Sequence, residues 1–199
     1  MSPLLLRLSG WFLLFGGLFM AVTVFHLPTS PTVTTLIILL GGGLLILGIP
    51  ALYVRQAKQI GWIGLVGLVI IWLDMLIFPV LQGGIAGFVP TFHVPDFLFL
   101  IGPLTVIGTL LFGIMTIRAH VFPRWLGWSI FVGYIIAFIG NNVLPDNLAN
   151  IAPFLAHPGE WLFLLSFSAF GVVLLSQRSV PQGRSADMTV ARDALPGAR

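Results

Sequence analysis

The sequence contains no cysteine, which excludes disulfides, thiolate metal ligands and thiol redox chemistry. Charge is nearly as scarce, at 8% of residues, where a soluble domain carries about a quarter. Water is therefore not the main solvent of this chain. Acids are scarcer than bases, six against nine, so the high pI of 10.2 reflects missing carboxylates. No basic cluster with interleaved aromatics occurs, and nucleic acid is excluded as a partner. Serine-hydrolase, zinc-protease and nucleotide-loop signatures are absent as well. No pair of mid-span histidines suggests haem, and nothing else in the sequence implies a bound cofactor.

What is present is apolar. Hydrophobic residues make up 58% of the 199, in six stretches at about 8–27, 33–54, 60–81, 96–117, 125–144 and 159–177. About 20 apolar residues cross a bilayer core of roughly 30 Å as a helix. The runs are continuous rather than alternating with period two, which argues against a transmembrane barrel. The sequence thus predicts an all-α integral membrane protein of six transmembrane helices. Arg7 before the first run resembles a signal peptide, but no small-residue cleavage site follows, so that run is kept as a span.

The charges are sorted between the loops. Arg7, Arg55, Lys58, Arg118, Arg124 and Arg178 fall on one side, joined by Arg184, Arg192 and Arg199, and the other side has no Lys or Arg. Positive charge stays cytoplasmic, which predicts a multi-pass protein of the cytoplasmic membrane with both termini inside. Asp74, Asp96, Asp146 and Glu160 then lie in the outer half, with His26, His93 and His157. The polar segment 179–199 is expected to be a disordered cytoplasmic tail. The segment 82–95, with Phe88, Val89 and Phe92, is too apolar for a solvated loop and is expected at the interface or folded over the bundle. A short interfacial helix is expected within 146–157.

The odd spans share a pattern. Arg7, Lys58 and Arg124 are each followed by Gly-Trp three residues on, at Gly10-Trp11, Gly61-Trp62 and Gly127-Trp128. A second glycine follows at Gly16, Gly67 and Gly133, and a proline at Pro28, Pro79 and Pro145. Interfacial bases and Trp, packing glycines and terminal prolines explain the residue types. They explain the common register less well. Three repeated helical hairpins are therefore predicted, at about 1–57, 58–123 and 124–178, in one domain over 1–178. The string Pro-Arg-Trp-Leu-Gly-Trp at 123–128 resembles helix starts in uncharacterised bacterial six-helix membrane proteins. That resemblance covers only the odd spans and implies no activity.

Candidate site residues all fall in the outer half. Asp74 is the one acid within a span, and an intramembrane carboxyl is a functional candidate by default. Its register matches Thr23 and Gly140, beside Asn141 and Asn142, which predicts a polar layer. The plainer reading has Asp74 bonded to an Asn or Thr as interhelical glue. His93 and Asp96, like His157 and Glu160, stand three residues apart and present ligand types suited to zinc or iron. The plainer reading makes both acids helix caps after prolines, with no metal bound. Gly41-Gly42-Gly43 and Gly102-Pro103 either interrupt helices around a substrate or allow close packing.

Three function classes follow. Binding or transport of a small or lipidic ligand from the outer half fits best. A structural membrane subunit that binds other subunits is second, and an outer-face enzyme using His and carboxylate groups is third. The expected partners are the lipid bilayer, such a ligand and other membrane subunits.

Overall fold

The computed structural model describes residues 3–24, 30–89, 91–142 and 152–176. These residues form helices α1 (Pro3–Val24), α2 (Pro31–Met75), α3 (Ala86–Phe88), α4 (Ile101–Ala119), α5 (Arg124–Asn142) and α6 (Ala152–Ser176). A π-helical segment, Leu76–Ile85, joins α2 to α3, and a 3₁₀ turn, Asp96–Leu100, leads into α4. No strand occurs among the described residues. Four continuous helical stretches are long and apolar enough to cross a membrane: Leu4–Val24, Pro31–Phe88, Asp96–Ala119 and Ala156–Ser176. Helix α5 is not among them, because Arg124 and the Asn141-Asn142 pair sit at its ends.

Helix α2 is two helices in all but name. Gly61 breaks it with φ +56° and ψ −159°, a region essentially reserved for glycine. A Cβ there would meet nothing within 4 Å, so conformation rather than space requires the glycine. The chain folds back at this point. Closing the seam, Gly87 lies against Thr35, Gly84 against Leu39 and Gly42 against Pro79 and Val80. Trp72 Nε1 donates to Ile46 O across it at 3.0 Å. The first arm starts cleanly, with Ser30 as N-cap accepting from Val33 N and Pro31 in the first turn. The α4–α5 connection turns instead at His120, the one non-glycine residue with positive φ (53°) among those described.

Helices α1, the two arms of α2, α4, α5 and α6 pack as a closed ring of antiparallel neighbours. Close backbone approach closes each further seam: Gly16 against Gly41, Gly67 against Gly108, Gly113 against Gly127, Gly133 against Gly159, and Gly171 against Gly10. Where both sides are bathed in lipid, such van der Waals contact replaces the hydrophobic effect as the cohesive force. Antiparallel order gathers Arg7, Arg55, Lys58, Arg118 and Arg124 at one end, all exposed. That end is filled. Phe112 and Phe170 are fully buried, and Phe122 meets Phe170 edge-on at 4.8 Å. The outer surface is apolar, with Leu4, Trp62, Phe97 and Leu100 each at least 66% exposed.

Several expectations need adjusting. Residues 82–88 are helical, not loop, because Pro79 does not end its span. Lacking an N–H, Pro79 cannot bond to Met75 O, and the helix widens to π geometry instead of stopping. Helix α6 starts at Ala152, so residues 152–157 are part of it rather than a separate interfacial helix. Gly102-Pro103 stands in the first turn of α4, where proline costs no hydrogen bond, and interrupts nothing. His26, Pro28, Pro145, Asp146 and the tail 179–199 lie outside the described residues.

Candidate functional site

At the end of the ring far from the basic residues, the helices surround a half-open cavity of about 530 Å³. This lies within the usual range of roughly 300–1,000 Å³ for ligand sites. Its walls come from α1 (Met20), the π-helical segment (Phe78, Pro79, Gln82), the start of α4 (Gly102, Pro103), α5 (Phe138, Asn141, Asn142) and α6 (Glu160, Phe163, Leu164). The π-helical turn matters here, since the wider helix carries Phe78 and Gln82 onto this wall. Such turns concentrate at functional sites.

Asp74 is 3% exposed and lines the cavity with Tyr134. Its Oδ1 accepts from Thr105 Oγ1 at 3.0 Å and from the Tyr134 hydroxyl at 3.2 Å. Each hydroxyl also has a backbone acceptor in reach: Ile101 O at 2.9 Å from Thr105 and Gly102 O at 3.0 Å from Tyr134. One hydroxyl carries one proton. The pair therefore donates to the carboxyl in one arrangement and to the backbone in another. Among the described residues, no group donates to Asp74 Oδ2. The Tyr134 ring is held edge-on against Phe163 at 5.1 Å, which fixes its hydroxyl over Asp74.

At the mouth, Asn141 Nδ2 donates to Glu160 Oε1 at 2.7 Å, tying α5 to α6, and Asn142 Nδ2 donates to its own helix at Phe138 O. Glu160 is well inside α6, so it is not the first-turn cap that its position after Pro158 suggests. Asp96 does stand in a first turn, that of the 3₁₀ segment. His93 is exposed and bonds to Thr91 O at 3.0 Å.

Of the residues singled out from sequence, Asp74, Asn141, Asn142 and Glu160 line this cavity together, while His93, Asp96 and His157 do not. Among the described residues, no three His, Asp or Glu side chains gather as a metal site would require. The polar layer is also divided differently. Thr23 bonds to Met20 O in its own helix, and Asn141 serves Glu160 rather than Asp74. The Thr partner expected for Asp74 is Thr105 on another helix, though the sequence did not say which Thr, and Tyr134 was not visible as a partner. The available signal was weak: Tyr134 is one of only two tyrosines, and it sits among apolar residues.

Fold and site together define an all-helical protein with membrane-length apolar helices and an acid-floored cavity at one end. Comparison with protein-family models, with curated proteins and with solved structures finds no match to this chain.

Proposed function

We propose that the chain is a six-span protein of the cytoplasmic membrane, with both termini inside, that binds or passes a small or lipidic ligand through the cavity above Asp74. The cavity carries the reading. It lies at the end away from every described Lys and Arg, which the positive-inside rule makes the outer end. The span count draws support from Gly61. At 1.5 Å per residue, the 58 residues of Pro31–Phe88 would reach about 87 Å unbroken, nearly three bilayer cores. Divided there, the two arms are about 45 and 40 Å, each long enough to cross once.

The hairpin repeat draws support from three equivalent seams. Gly16 meets Gly41 and Leu45, Gly67 meets Gly108 and Phe112, and Gly133 meets Gly159 and Phe163. In each, the second glycine of the sequence pattern faces a glycine and the residue four further on. Trp11, Trp62 and Trp128 are all exposed, as Trp at a membrane interface is. The outer-face enzyme reading draws no support from His93 and His157, which do not join the acids in the cavity.

Photolabelling in lipid nanodiscs tests the ligand-binding reading. A neutral diazirine-bearing fatty alcohol should label the lining segments Met75–Gln82 and Phe138–Asn142 as well as lipid-facing Leu40 and Leu47. Asn142→Trp, at the mouth, should abolish the lining labels and leave Leu40 and Leu47 labelled. Labels confined to lipid-facing residues in the parent protein would leave only the structural subunit.

A further inference from the structure

We infer that the occupant of the cavity is an amphiphilic organic cation, one positive charge carried on an apolar body. This rests on the ligand-binding reading above and names the chemistry of its ligand.

Charge is the first observation. Two carboxyl groups line the cavity, Asp74 at its floor and Glu160 at its mouth, and no Lys, Arg or His accompanies them among the described residues. The nearest base in sequence on α5 is Arg124, at the other end of the helix. From Arg124 to Asn141 is roughly 25 Å at 1.5 Å per residue. An ionised carboxyl in a low-dielectric site is costly unless a counter-charge accompanies it. No residue lining the cavity supplies one among those described, which leaves that place to the ligand.

The walls are the second observation. Phe78, Phe138, Phe163 and Tyr134 line the space, and the faces of aromatic rings attract cations. The remaining polar lining is neutral amide, from Gln82, Asn141 and Asn142. A sugar or other polyol would find few donors on these walls, and an anion would meet two acids and no base among the described lining residues. An inorganic cation would leave the aromatic and aliphatic walls unfilled. An apolar cation satisfies both halves of the lining.

Asp74 is prepared for such a guest. Thr105 and Tyr134 both approach Oδ1, which leaves Oδ2 to the ligand. When the charge arrives, both hydroxyls can turn to the carboxylate. When it leaves, each has its backbone acceptor, Ile101 O or Gly102 O, within 3.0 Å. The floor therefore adapts without orphaning a hydroxyl.

The test uses two ions of the same shape and opposite charge, with empty nanodiscs as background. Tetraphenylphosphonium should bind the full-length protein in nanodiscs saturably, and tetraphenylborate should not. Glu160→Gln, at the partly exposed mouth where folding is least at risk, should weaken the cation by tenfold or more. Asp74→Asn should weaken it further. Equal binding of both ions, or unchanged cation affinity in Glu160→Gln, overturns the inference. If the neutral diazirine probe labels the cavity but the cation does not bind, the charge assignment alone fails. If neither enters, the ligand-binding reading itself falls.

Discussion

Removing the two hydroxyls that hold Asp74 should cost more than the sum of removing each. Tyr134→Phe keeps the ring and its edge-on contact with Phe163 and deletes one donor. Thr105→Val keeps the side-chain shape and deletes the other. Interhelical hydrogen bonds in membrane proteins average about 0.6 kcal/mol and reach about 1.7, so each single variant should lose about 0.5–1 kcal/mol. In either one, Asp74 retains a donor to Oδ1. In the double variant it retains neither, and a buried polar group without partners costs a further 1–3 kcal/mol or so. The double variant should therefore exceed the sum by about 1–2 kcal/mol. Adding Asp74→Leu should then restore most of the loss, because the group left without donors is gone. Asp74→Leu by itself should be mild, since Ile101 O and Gly102 O are ready acceptors for the hydroxyls. Thermal unfolding in a nonionic detergent, followed by circular dichroism, reads all five proteins. Strict additivity, with no rescue by Asp74→Leu, would refute the assignment of Thr105 and Tyr134 as the donors that hold Asp74.

Further outcomes follow from the same geometry. Gly61→Ala, at φ +56° and ψ −159° with open space around it, should lower stability by about 1–3 kcal/mol through backbone strain alone, seen as a lower melting temperature. Gly16→Val, Gly67→Val and Gly133→Val should each sharply reduce folded yield by size-exclusion chromatography, because a Cβ would come within 2.9 Å of facing backbone. Gly43→Ala meets nothing within 4 Å and should be neutral or stabilising by up to about 1 kcal/mol. Gln56 is fully buried, and neither amide atom has a hydrogen-bond partner among the described residues. Gln56→Met should therefore raise the melting temperature, and a fall would mean the amide is satisfied. With no native cysteine, topology is open to single-cysteine labelling in intact cells. Thr91→Cys should react with an impermeant maleimide and Lys58→Cys should not, and the reverse pattern would invert the protein.

Composition and charge order were enough to establish a helical chain built for lipid. Apolar runs, scarce charge and sorted bases act through one-dimensional quantities, length and hydropathy, that need no knowledge of neighbours. The glycine spacing was legible for the same reason, because close helix approach demands the smallest side chain at one helical position whatever lies opposite. The helix through Phe88 was hidden. Pro79 carries the signal of a helix end, and only packing of the widened π turn against Gly42 and Leu39 lets the helix continue. Asp74 was conspicuous in sequence because a carboxyl in a span is costly anywhere. Its partners were not, since Thr105 and Tyr134 lie 31 and 60 residues away in the chain and carry no local mark of the role. That Glu160 lines the cavity while His157, three residues before it, does not was likewise a tertiary decision. A spacing of three residues says which side chains share a helix face, but only the closed ring decides which faces meet, and it turned Glu160 towards Asn141 and the cavity.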